Sequence, residues 1–281
     1  MAQNETENAV KVAAIQMVSG ESLEGNLRDA TRLLEEAADA GVRVAVLPEN
    51  FAVLKTSEMR SQGLREAHGG GEIRAYLAEQ ARRLGLWLVG GSLPYAVATN
   101  ETAPRVRASC FVVDERGQEV ARYDKVHLFD AQVNDAHGQY RESDTFEPGS
   151  ELVTVETPAG VLGLAICYDL RFPELFRGLR DRGAEWVALP SAFTYMTGEA
   201  HWEPLIRARA IENQVWVVAA GQGGNNSPRR RTYGHSMIVD PWGAVVAERA
   251  DEGSGWVSAS LDPLRLREVR QRMPVWDHRR L

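Results

Sequence analysis

The sequence predicts a single α/β domain built on a mixed sheet. Three observations carry that expectation. Short apolar runs with strand character alternate with segments of helical periodicity, hairpin signals interrupt the alternation, and no Ser/Gly/Pro-rich linker divides the 281 residues. A hydrophobic content of 44% and a charged content of 25% are those of a chain with a full core.

In chain order, strands are expected at 11–17, 43–47, 86–90, 107–113, 119–123, 152–155, 161–166, 186–189, 215–219, 235–239, 244–248 and 256–260. Each is a run rich in Val, Ile, Leu or aromatics that ends at a turn residue. Helices are expected at 23–40, 72–84, 173–182, 199–213 and 263–272. Gly41 closes the first of these, Gly183 follows the third, and Pro173 and Pro263 open theirs. Residues 1–9 are polar and read as a flexible leader, which leaves 10–281 as the folded domain.

The formal net charge of -7 argues against a nucleic-acid partner, and no apolar run approaches the ~20 residues that a membrane span needs. Any anionic substrate must therefore be met by local cations. Two cysteines and no secretory signal pattern point to the reducing cytoplasm. The six histidines lack His-x-x-x-His spacing, the Gly-x-Ser-x-Gly elbow is absent, and one cysteine is already taken for packing. Neither a metal nor another cofactor is expected.

That packing cysteine is Cys110, inside Ala108-Ser109-Cys110-Phe111-Val112-Val113, the first strand of a hairpin turned by Asp114-Glu115-Arg116-Gly117. Cys167 differs. The run Leu164-Ala165-Ile166 ends at Cys167-Tyr168-Asp169-Leu170-Arg171-Phe172-Pro173-Glu174, so the thiol stands where a strand gives way to a helix, the place at which α/β sheets collect ligands. Alone, such a cysteine reads as an inert core residue. Glu49, after Pro48 at a strand end, and Lys125, in Tyr123-Asp124-Lys125-Val126-His127-Leu128, would alone read as solvated charges. Glu142 lies on a long aperiodic segment, 130–150, of a length that compact domains keep for function. A faint internal echo, with strands ending in Pro48-Glu49 and in Pro190-Ser191, hints at two related halves.

Together, Pro48-Glu49, the Lys125 segment and the Cys167 segment resemble the nitrilase superfamily of carbon-nitrogen hydrolases over nearly the whole chain, in family order and spacing. The resemblance implies a four-layer α-β-β-α sandwich and a Glu-Lys-Cys triad on Glu49, Lys125 and Cys167, with Glu142 as the second glutamate. Cys167 would attack an amide carbonyl through its thiolate and Glu49 would serve as its base. Lys125 and the Tyr168 backbone N–H would hold the oxyanion. Pro190-Ser191-Ala192-Phe193, Thr197 to Trp202, Arg207 to Glu212 and Tyr233 to Met237 look like the Nit branch. That likeness implies a 2-oxo dicarboxylic monoamide as substrate, with cleavage into 2-oxoglutarate and cysteinylglycine ahead of ammonia release from 2-oxoglutaramate, and a general aliphatic amidase or nitrilase as a further alternative. A non-catalytic scaffold that keeps the fold is the reading from another class, and family assemblies imply a homodimer or larger homo-oligomer.

For such a small-molecule partner bearing carboxylates, Arg171 is the expected reader of charge, the alternative being an ion pair with Glu174 on the same helix. Phe193 and Thr194 are expected in the pocket wall. The segment 221–231, rich in Gly, Asn and Arg, departs from the family pattern and is expected to be a loop. Its Arg229-Arg230-Arg231 run reads as solvated, with an anionic substrate tail as the alternative.

Overall fold

The computed structural model of the chain describes residues 9–54, 56–67, 71–97, 105–135 and 138–280, so most of the expected leader lies outside it. The strands of the first half are β1 (Val10–Gln16), β2 (Val44–Val46), β3 (Trp87–Val89), β4 (Leu93–Ala96), β5 (Val106–Val113) and β6 (Glu119–Asp124). A small hairpin follows, β7 (Asp130–Gln132) and β8 (Gln139–Arg141). The second half supplies β9 (Thr154–Thr157), β10 (Gly160–Leu164), β11 (Trp186–Ser191) and β12 (Trp216–Gly221). The hairpin β13 (Gly223–Ser227) and β14 (Arg230–Tyr233) comes next, then β15 (Met237–Val239), β16 (Val245–Glu248) and β17 (Gly255–Leu261). The helices are α1 (Leu23–Asp39), α2 (Thr56–Arg65), α3 (Glu72–Leu84), α4 (Pro173–Asp181), α5 (Tyr195–Asn213) and α6 (Pro263–Arg272).

In place of the one mixed sheet expected from the residues, there are two. A seven-stranded sheet runs β17-β1-β2-β3-β5-β4, with β6 also paired to β5, and a six-stranded sheet runs β16-β15-β12-β11-β10-β9. Each has a parallel centre, β1-β2-β3 or β10-β11-β12, with antiparallel strands outside it. The echo noted between Pro48 and Pro190 therefore marks the middle parallel strand of each sheet, β2 and β11.

Side-chain alternation along β1 and β2 explains the layering. Val12, Ala14, Val44 and Val46 face the second sheet in one core, together with Leu162, Leu164 and Ala188. Ala13, Ile15, Ala45 and Leu47 face the other way, into a separate core with Ala30, Leu33, Leu34 and Ala37 of α1 and Ile73, Leu77 and Ala81 of α3. The outer face of the second sheet is covered by Leu175, Phe176 and Leu179 of α4 and by Trp202, Ile206 and Ala210 of α5. Apolar residues on both faces of a parallel sheet demand cover on both sides, and the result is the α-β-β-α sandwich.

Most expected elements are present within a residue or two. α3 and α6 have the expected bounds, α6 being capped by the Asp262 carboxylate, which accepts the Leu264 N–H at 2.8 Å. Five departures from expectation stand out. α2 and β4 were not foreseen, and α5 begins at Tyr195, not Glu199. The segment 130–150 carries the β7–β8 hairpin and a 3-10 turn at Glu142–Asp144, and 221–231 is largely the β13–β14 hairpin, not a loop. No helix among the described residues is long and apolar enough to cross a membrane.

Candidate active site

Cys167, Glu49 and Lys125 all follow carboxyl ends of strands: β10, β2 and β6 respectively. The two sheets face each other there, so three groups far apart in the chain are brought into one buried cluster. Lys125 Nζ donates to Glu49 Oε1 at 2.8 Å and to both carboxylate oxygens of Glu142 at 2.9 Å. Glu142 is held in turn by the Phe129 N–H, which donates to its Oε2 at 2.6 Å. Lys125 is only 1% exposed. A buried ammonium of this kind is tolerable only because two carboxylates surround it.

The local backbone explains how each group is aimed. Cys167 has φ +47, a left-handed conformation that a side-chain-bearing residue adopts at a cost of about 1–3 kcal/mol. The sharp turn it makes leads from β10 through a 3-10 turn (Cys167–Arg171) into α4, which Pro173 opens. Tyr168 is thus in the first turn, where backbone N–H groups have no intrahelical acceptor and are left for other oxygens. Asn50, next to Glu49, is also left-handed, with φ 56, and its N–H donates to Ser92 Oγ at 2.9 Å. From the second sheet, Gln222 reaches across to donate to the Glu49 carbonyl oxygen at 3.2 Å and to Ser19 Oγ at 2.8 Å.

Burial pushes the Cys167 thiol well above its usual range, and the adjacent Glu49 carboxylate pushes the same way. Lys125 and the Ala192 backbone N–H oppose them by favouring the thiolate. At rest the sulfur is therefore a thiol. Burial pulls Lys125 toward neutrality, but Glu142 and Glu49 outweigh it and hold the amine charged, well above its ordinary value. The site pairs a protonated sulfur with a permanent cation and a carboxylate able to accept the sulfur's proton.

A cavity of 300 Å³ opens over this cluster, lined among others by Glu49, Lys125, Cys167, Ala192 and Thr194. Its outer wall holds Tyr140 and Arg141 from the first hairpin and Asn226, Ser227 and Arg230 from the second. A narrower recess adjoins it, lined by Phe129, Cys167, Tyr168, Arg171, Phe193 and Thr197, and shares Ala192 and Thr194 with the larger space. Cys167 stands where the two meet.

The structure brings Glu49, Lys125, Glu142 and Cys167 together, and puts Thr194 in the wall of both spaces. Arg171 and Phe193 fall in the narrow recess alone. The Arg171 guanidinium lies over the rings of Phe193, at 5.3 Å, and Tyr168, at 5.8 Å, and its Nη1 is 3.2 Å from His201 Nδ1. The alternative ion pair between Arg171 and Glu174 is not formed among the described residues. Phe193 packs on Trp202, with ring centroids 4.9 Å apart.

Sequence reasoning passed over Asp169 and Ala192. The Asp169 carboxylate is fully buried and accepts the Tyr123 hydroxyl at 2.7 Å, the Ile166 N–H at 2.8 Å and the His127 N–H at 3.1 Å. The His127 ring lies flat against Phe172, 3.6 Å between centroids. An aspartate two residues after the candidate nucleophile was the available signal. Among the described residues, no cluster of three or more His, Cys, Asp or Glu could hold a metal ion.

The chain belongs to the carbon-nitrogen hydrolase family, whose model matches residues 11–271. It is 42% identical to a deaminated glutathione amidase from Yersinia enterocolitica over 96% of this chain and 92% of that protein. Among solved structures, Nit3 of Saccharomyces cerevisiae, a member of branch 10 of the nitrilase superfamily, superposes with a TM-score of 0.85 at 33% identity, covering 98% of this chain and 97% of that one. The NitFhit protein of C. elegans superposes with a TM-score of 0.86 at 39% identity over 97% of this chain, which spans 65% of the NitFhit chain.

Proposed function

We propose that the chain is a thiol amidase that cleaves the amide of deaminated glutathione to 2-oxoglutarate and cysteinylglycine. The observation that carries the reading is the buried contact of Lys125 with Glu49 and Glu142 beside Cys167, at the floor of a cavity. The name and extent of similarity of the Yersinia relative support the choice of substrate.

The chemistry follows from the charges. Glu49 takes the thiol proton as sulfur attacks the amide carbonyl carbon, and the electron pair of the C=O bond moves onto oxygen. Lys125 Nζ and the Tyr168 N–H hold that oxyanion, and loss of one such donor typically costs about 3–4 kcal/mol in the transition state. As the tetrahedral species collapses, the C–N bond breaks and Glu49 returns its proton to the departing amine. The acyl group remains as a thioester on Cys167. Water then attacks the thioester with Glu49 again as base, the S–C bond breaks, and the proton goes back to sulfur as the acid leaves.

Glu142 keeps Lys125 charged and aimed. Arg171 receives the carboxylate beside the 2-oxo group, with Thr194 and Phe193 shaping that end of the pocket. We further propose that the enzyme works in the cytoplasm, where free Cys110 and Cys167 stay reduced, and as a homo-oligomer. Half-exposed Ile211 and Trp242 support the latter.

The test is a panel of 2-oxo amides assayed with wild type and Cys167→Ala, with a thioester sought by mass spectrometry. Turnover of deaminated glutathione ahead of 2-oxoglutaramate, lost in the variant, is expected. Preference for 2-oxoglutaramate would make the enzyme an omega-amidase, and a folded protein with neither adduct nor product would be a scaffold.

A further inference from the structure

We infer that Arg141 and Arg230 form a clamp for a carboxylate on the amine side of the scissile amide, so that the enzyme selects amides whose leaving group is itself an acid. The inference rests on the amidase reading above and extends it to the half of the substrate that departs.

Arg141 ends β8 and Arg230 begins β14, so two separate hairpins each bring one guanidinium to the wall of the same cavity. Neither forms an ion pair with a carboxylate among the described residues, although Arg141 is exposed and stands opposite Asp130 in the β7–β8 ladder. Arg230 is half-buried, and its buried Nε has no hydrogen-bond partner among the described residues, which leaves a donor for a ligand oxygen. Glu49 and Glu142 are committed to Lys125, and Asp130, opposite Arg141, takes the Ser143 N–H at 3.1 Å. The Tyr140 hydroxyl donates to Asp135 at 2.9 Å.

Geometry assigns the clamp to the leaving group. A substrate bound at Cys167 has its acyl part on one side of the sulfur and its amine on the other. The Arg171 recess and the larger cavity meet at Cys167, yet Arg171 does not line the larger space and Arg141 and Arg230 do not line the recess. The size also fits. The recess beside Arg171 holds about 20 Å³, room for little more than a carboxylate end, whereas the cavity holds 300 Å³. If round, that cavity is about 8 Å across, and a dipeptide spans at most about 7 Å.

The experiment compares three substrates: deaminated glutathione, the same molecule with its terminal carboxylate amidated, and 2-oxoglutaramate. Wild type is expected to favour the free carboxylate over the amidated form at least tenfold in kcat/KM. Arg141→Gln and Arg230→Gln should each cut that ratio, their combination should bring it near one, and Arg230→Lys should restore part of it. A readout free of any substitution is salt: between 50 and 500 mM NaCl, kcat/KM should fall more steeply for the carboxylate form than for the amidated one. A wild-type ratio near one, equal salt slopes, or a ratio that survives both substitutions would overturn the clamp while leaving the amidase reading intact. Failure of wild type to turn over any of the three would overturn both.

Discussion

The Asp169 carboxylate binds His127 twice, accepting its main-chain N–H at 3.1 Å and meeting its ring Nδ1 at 2.7 Å. Asp169 lies two residues after Cys167, and His127 two residues after Lys125. One buried carboxylate therefore fixes the spacing between the turn that bears the sulfur and the strand end that bears the ammonium.

Asp169→Asn keeps the shape but replaces an acceptor-only group with an amide, so that one of the N–H or O–H groups now meeting oxygen must face an NH₂. Such a mismatch costs about 1–3 kcal/mol. Urea unfolding should report a loss of that size, and kcat should fall at least about tenfold as Lys125 drifts from the oxyanion position. Unchanged kcat in a destabilised variant would limit Asp169 to holding the fold.

The thiol of Cys167 is held protonated first by burial and then by the Glu49 carboxylate. Glu49→Gln removes the second cause, so the thiol should titrate at lower pH in the variant. Alkylation by iodoacetamide followed against pH should show its midpoint moving down, while amide hydrolysis collapses for want of a base. A midpoint that stays put or rises would contradict the proposed contact.

Lys125→Met leaves the Glu49 and Glu142 carboxylates facing each other across an apolar side chain. Breaking a buried pair by removing one partner costs about 3–5 kcal/mol. Lys125→Arg keeps the charge and should recover part of that loss, and chemical denaturation of the two variants measures the difference; equal losses in both would count against a charge effect.

Arg171→Gln removes a guanidinium that could pair in bidentate fashion with a substrate carboxylate. A hydrogen bond to a charged group contributes about 1.5–3 kcal/mol, so KM for 2-oxo amides should rise about 10–100-fold. Simple amides without the 2-oxo acid should be little affected. Equal losses on both kinds would show that Arg171 acts through its packing on Tyr168 and Phe193.

Glu49, Lys125 and Cys167 each stand just past a strand end that the sequence shows, but singly they read as two solvated charges and an inert thiol; only their combination in family order and spacing made the site legible. The bounds of α3 and α6 were readable from their apolar period, and from Pro263 and its capping Asp262 in the second case. α2 was hidden because Thr56 to Arg65 holds little apolar periodicity. The start of α5 was obscured by Gly198 and Pro204. The structure gives the reason for the glycine: a Cβ there would overlap the side chain of Tyr233. The hairpin β13–β14 carries Gly, Asn and Arg in place of β-branched residues, and it is held by tertiary contacts such as Thr232 Oγ1 donating to Asn226 Oδ1 at 2.7 Å. The role of Asp169 depends on partners 42 and 46 residues away, beyond the range of any local pattern.

The cluster draws Glu49 and Lys125 from one sheet and Cys167 from the other, and Gln222 crosses the gap to join them. Neither half of the chain holds a complete set of reacting groups. The first sheet itself needs the end of the chain, because β17 pairs with β1 along its whole length. The four side chains can therefore meet only once both sheets are formed and stacked.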